Sequence, residues 1–162
     1  MNAQPISIPD NEDRLNVMMF SNNPAEMSVY MNNLSNFKGA KFNPHFHFSL
    51  RYRYLRMLAM KPAYILIDDF FSREQIRKFI RKVRRNIKTQ EIPVAILKSH
   101  NTQFYVNDVQ DYILKDSFTP ERLFHSIRNS RNMRKAQIIL YKTYKKSKKQ
   151  YLSIIRSLRN LF

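Results

Sequence analysis

The chain holds one glycine, Gly39, among 162 residues. Phosphate-cradling loops need glycine for positive φ and for close backbone approach to the ligand, so P-loop and GxGxxG nucleotide sites are excluded. Cysteine is absent, which removes disulfides, thiolate zinc sites and a cysteine nucleophile and accords with a reducing compartment. No apolar run approaches the length of a membrane span, and the opening MNAQPISIPDNEDRL has neither the basic nor the apolar region of a secretion signal. The expectation is a cytoplasmic protein with no membrane span. Acids are also scarce: 12 Asp and Glu stand against 29 Lys and Arg, a formal charge of +17. A field of that sign attracts nucleic acid, anionic lipid or an acidic protein without choosing among them.

What is present suffices for a core. Hydrophobic residues make up 43% and aromatics 13%, in a length that suits one domain with an appendage. Residues 1–13, with two prolines, three acids and no periodicity, read as a flexible N-terminal arm. Residues 14–131 read as the folded domain. Within it LNVMMF (15–20), YILI (64–67), PVAIL (93–97) and VQDYIL (109–114) have the apolar runs of strands buried on both faces, and a further strand is expected near 41–46. Asn23 can cap and Pro24 open a helix with Met27, Tyr30, Met31 and Leu34 on one face. Other helices are expected over Ser49 to Met60, along the stripe Ile76, Phe79, Ile80, Val83 and Ile87, and from the Thr119 cap and Pro120 onward. Alternating buried strands and amphipathic helices predict an α/β fold, a doubly wound five-stranded parallel sheet. Residues 132–162 carry nine Lys or Arg and no acid; they read as a basic amphipathic helical extension of one or two helices.

Over Leu15 to Arg131 the order of elements and three landmarks resemble the receiver domain of bacterial two-component response regulators, a flavodoxin-like fold. KPAYILIDD looks like that family's third strand and places its phosphoacceptor aspartate at Asp68. IPVAILKSH is similar to the fourth strand, whose hydroxyl-bearing switch residue falls on Lys98, with Ser99 next. DYILKD is similar to the fifth, which puts the phosphoryl-contacting lysine at Lys115 and the rotating aromatic at Tyr112. The resemblance implies phosphoryl transfer to a carboxylate, with magnesium and an ammonium neutralising the equatorial oxygens.

The sequence departs from the family at the metal. Where the family has an acidic pair after its first strand, this chain reads Phe20-Ser21-Asn22-Asn23, so Ser21 and Asn22 are the degenerate metal-pair positions. Only sixteen residues separate Lys98 from Lys115, little room for a full fourth helix. These departures favour a pseudo-receiver that acts through protein contacts and not as an enzyme, with no catalytic residues, metal or other cofactor. Magnesium enters only if the acceptor is active. A charge cluster of Asp68, Lys98 and Lys115 is expected at the carboxyl edge of the sheet.

The same residues admit two other readings. One is an active aspartate phosphoacceptor with atypical metal ligation. The other is a nucleic-acid-binding regulator gripping through Arg77, Arg81, Arg84, Lys88, Lys145, Lys146, Lys148 and Lys149. Self-association is a further expectation, through the C-terminal face of Tyr151, Ile154, Leu158 and Leu161. The partners expected under the leading reading are signalling proteins, either a histidine kinase or an acidic protein. His45 and His47, two apart on an expected strand, lack an evident third ligand for zinc.

Overall fold

A computed structural model describes residues 14–51, 54–100 and 105–159. The expected arm, residues 52 and 53 of the helix expected over Ser49 to Met60, and Leu161 lie outside them. Five strands form one sheet: β1 (Leu15–Phe20), β2 (Phe42–His47), β3 (Tyr64–Asp68), β4 (Val94–Lys98) and β5 (Asp111–Leu114). The order is β2-β1-β3-β4-β5, and every neighbouring pair is parallel. Among the described residues four α-helices accompany them: α1 (Pro24–Ser35), α2 (Tyr54–Met60), α3 (Arg73–Arg85) and α4 (Pro120–Arg159). This is the doubly wound sheet that the alternation predicts.

The apolar runs are continuous because both faces of the sheet are covered. Val17, Met19, Tyr64, Leu66, Ala95 and Leu97 face a core shared with Met27, Tyr30 and Leu34 of α1 and Leu123 and Ile127 of α4. Met18, Phe20, Ile65, Ile67, Val94 and Ile96 face the other core, filled by Met57 of α2 and Ile76, Phe79, Ile80 and Val83 of α3. Successive side chains therefore leave in opposite directions and both are buried.

Local chemistry sets the ends of the helices. Asn23 Oδ1 accepts from the amides of Ala25 and Glu26, and Pro24 opens α1. Ser72 and Gln75 close a reciprocal capping box on α3. Lys61 adopts φ 45°, and Pro62 follows, so α2 cannot continue. The Thr119 hydroxyl accepts from Arg122 N at the start of α4. Tyr64 Oη donates to Ser126 Oγ at 2.6 Å, and Ser126 in turn donates to the Asp111 carboxylate. This relay ties α4 to β3 and β5.

Two expectations are corrected. Of the segment read as a helix from Ser49 to Met60, residues 49–51 are not helical and Tyr54–Met60 is. Ile87, placed on the buried stripe of α3, follows the end of that helix and is 79% exposed. The expected C-terminal helical extension is present, continuous with the helix that opens at Pro120: α4 runs unbroken for 40 residues, roughly 60 Å. Among the described residues no helix bridges β4 and β5, and no helix is long and apolar enough to cross a membrane. The lone glycine sits in the turn between α1 and β2, under the Phe37 ring.

Candidate functional site

The carboxyl ends of β1, β3 and β5 converge, and open parallel sheets bind their ligands at such an edge. Asp68 ends β3 and is 2% exposed. Lys115 follows β5 directly, and its Nζ lies 2.9 Å from Asp68 Oδ2. Ser21 follows β1 and donates its hydroxyl to the same Oδ2 at 2.6 Å, while its Oγ accepts from Asn23 N at 3.2 Å. Phe70 N donates to Asp68 Oδ1 at 2.9 Å. Each carboxylate oxygen is thus hydrogen-bonded within the chain, and Oδ2 faces a cation as well.

Lys115 has a second acid. Its Nζ is 3.0 Å from Oε2 of Glu26, in the first turn of α1. The ammonium therefore bridges the two carboxylates. Burial works against its charge, but hydrogen bonds and attraction from Asp68 and Glu26 outweigh that and raise its pKa above the ordinary lysine value. Tyr30, one turn further along α1, has its phenol pushed up to about 12, first by burial and then by Glu26. Ser21, Asn22, Asn23, Glu26, Asp68, Phe70 and Lys115 line a cleft of about 380 Å³.

Magnesium, which the fold family implies, is not matched by this donor set. The cation needs an octahedral shell of oxygens with one or two carboxylates free to turn toward it. Here the first two residues after β1 bring a hydroxyl and an amide, and the two carboxylates present both hold the Lys115 ammonium. Among the described residues no group of three His, Cys, Asp or Glu is placed to hold a metal ion. His45 Nε2 instead lies 3.0 Å from Asn43 Nδ2.

The other expected residues separate. Lys98, buried at the end of β4, sets its ammonium 5.8 Å from the Tyr105 ring centroid and 5.7 Å from that of Tyr112. The expected trio is therefore an Asp68–Lys115 pair with Lys98 in a separate cation–aromatic contact. Ser99 binds Asp69, not Asp68: its N and Oγ each donate to that carboxylate at 2.8 Å. The Tyr112 hydroxyl donates to Val106 O at 3.2 Å and accepts from Val106 N at 2.9 Å, which pins the ring to the β4–β5 connection.

Arg84 does not belong to a basic surface. Nη1 donates to the carbonyls of Gln90 and Ile92, at 3.1 and 2.6 Å. Nη2 donates to Asp108 O and Gln110 Oε1, each at 2.9 Å. Burial, then the neighbouring Arg134, lowers its pKa to about 10. It fastens α3 to the connection between β4 and β5. Arg77, Arg81 and Lys88 are exposed, as are Lys145, Lys146, Lys148 and Lys149 on α4.

Glu26 is the site residue that sequence reasoning missed. The resemblance points only to the residues directly after β1. Yet Asn23-Pro24 fixes where α1 begins, and that places Glu26 in its first turn, above the sheet edge.

No protein-family model matches this chain, and no curated protein matches its sequence. Its fold does have solved counterparts. A response regulator from Desulfuromonas acetoxidans superposes with a TM-score of 0.56 at 17% identity, over 70% of this chain and 93% of its own. The signal receiver domain of an HD domain-containing protein from Pseudomonas fluorescens Pf-5 gives 0.58 at 11%, over 76% and 99%. That of a LuxO repressor protein from Vibrio parahaemolyticus gives 0.55 at 17%, over 78% and 97%. The chain thus has the flavodoxin-like fold of response-regulator receiver domains, with α4 prolonged beyond it.

Proposed function

We propose that this domain is a receiver-type signalling module that works through contacts with other proteins, its acceptor position closed by an internal ion pair. The observation that carries the reading is the Lys115 ammonium between Asp68 and Glu26. In phosphoryl transfer to a carboxylate, a lysine and a metal share the neutralisation of charge. Here a lysine and a hydroxyl satisfy the carboxylate before any donor arrives, and the positions that would bring metal-binding acids hold Ser21 and Asn22.

An unphosphorylated domain signals by which surface it presents. The exposed basic residues Arg77 and Arg81 along α3 fit an acidic face on a signalling protein. A histidine kinase acting as a docking partner is compatible with this reading; phosphoryl transfer from it is not. Incubation with a kinase or a small phosphodonor should leave Asp68 unmodified. A phosphoaspartate at that position would overturn the proposal.

A further inference from the structure

From Ile139 to Ser157 every residue of α4 is exposed, including Leu140 at 71%, Tyr144 at 60%, Tyr151 at 65% and Ile154 at 58%. These side chains follow a pattern. Leu140, Tyr144, Ser147, Tyr151, Ile154 and Leu158 recur at alternating spacings of four and three. That 3.5-residue period belongs to a two-stranded coil, whereas a helix packing on a globular core follows 3.6.

The charges respect the same register. Lys142, Lys149 and Arg156 fall on the side opposite the seam, and Lys145 and Lys146 fall beside them. Of the positions bordering the seam, Thr143, Gln150 and Ser157 lie along one edge, and Tyr141, Lys148 and Ile155 along the other. Lys148 is the single cation there. A helix built to grip phosphates or anionic headgroups needs its cations at the margin of the face it presents. Here every cation but Lys148 starts outside the seam and its edges, with Lys145 reaching over the Tyr141 ring at 5.0 Å, so two identical helices can close along it with little like-charge contact.

We infer that two copies of this chain associate through a two-stranded coil of their α4 helices, along the seam from Leu140 to Leu158. Each coil carries its basic residues outward and joins two receiver-type domains through helices that begin inside them. The association does not depend on the state of Asp68.

Sedimentation of the full chain over a range of concentrations tests this. The expected result is a reversible monomer–dimer equilibrium. Tyr151→Lys combined with Ile154→Lys should weaken it about tenfold or more, and Ser147→Leu should tighten it by about tenfold. Lys149→Glu, on the outer side, should leave a dimer. Added salt should preserve or strengthen the dimer by screening like charges, opposite to its effect on phosphate binding. A monomer at every concentration, in both the natural chain and Ser147→Leu, would overturn the inference. So would a dimer indifferent to the seam variants, or seam variants that alter binding to random duplex DNA or anionic vesicles while the mass in solution stays that of one chain.

Discussion

Lys115 Nζ stands 2.9 Å from Asp68 Oδ2, so the carboxylate that ends β3 takes its counter-ion from the residue that follows β5. The pair spans the two strands flanking β4 and is closed on the α1 side by Glu26.

Removing the acid should expose how much this pair contributes. Asp68→Ala leaves a largely buried ammonium with Glu26 alone and the Ser21 hydroxyl without its acceptor. The expected loss is ~1–3 kcal/mol of unfolding free energy, read from urea denaturation. Asp68→Asn keeps the shape and an acceptor oxygen and should lose less. If Asp68→Ala unfolds at the same urea concentration as the natural chain, the pair contributes nothing.

The alkaline limb of the stability profile follows from the same cluster. The Tyr30 phenol is raised from 10.0 to about 12, so above pH 10 the unfolded chain releases this proton first. Lys115, also raised, acts with the same sign: its contribution is whole below the unfolded lysine value and is lost as pH rises through the folded one. Melting temperature should hold up to about pH 10 and decline toward about 12. Tyr30→Phe should flatten part of that decline. An unchanged slope in this variant would remove Tyr30 from the explanation.

Arg84 should matter more than an exposed cation on α3. Its truncation to Ala removes four hydrogen bonds and takes the guanidinium donor from Ile92 O, while Gln90 O keeps Arg134, Asp108 O keeps the Gln110 amide and Gln110 Oε1 keeps Val94 N, at a cost of ~1–3 kcal/mol. Arg84→Lys should recover little, since one ammonium cannot span four acceptors on two sides. Arg77→Ala, on the exposed side, should stay within about 0.5 kcal/mol of the natural chain. Equal effects at the two positions in urea denaturation would contradict the clamp.

Metal affinity should be recoverable by substitution. Ser21→Asp with Asn22→Asp would put two carboxylates beside Asp68 and compete with it for Lys115. Magnesium should then raise the melting temperature of the double variant by a few degrees, about 1 kcal/mol, and leave the natural chain unmoved. Identical responses in the two proteins would dismiss the Ser21–Asn22 explanation.

How far the sequence could be read depended on whether a residue's neighbours lie near it in the chain. The LNVMMF run and the Asn23-Pro24 cap reveal β1 and the start of α1 to the residue, because burial on both faces and capping are local signals. The parallel sheet followed from the alternation of strands with helices, and its flavodoxin-like arrangement from the resemblance to receiver domains. Arg84 misled for the opposite reason: its spacing with Arg77 and Arg81 is that of a solvated face, and its four acceptors lie 6 to 26 residues away. Glu26 was hidden because the site is completed from one helical turn beyond the strand. Lys98 reads in sequence as a partner for Asp68, and only the fold shows Tyr105 and Tyr112 beneath its ammonium. The continuity of α4 was obscured by its change of character, from a stripe packed on the sheet to a seam that faces away from it.

Asp68, held by Lys115, should not accept a phosphoryl group. The intact mass of the full chain after prolonged incubation with acetyl phosphate and magnesium, beside Asp68→Asn treated in the same way, tests this. Both proteins should keep an unmodified mass. A stable gain of one phosphoryl group in the natural chain, absent from Asp68→Asn, would contradict it.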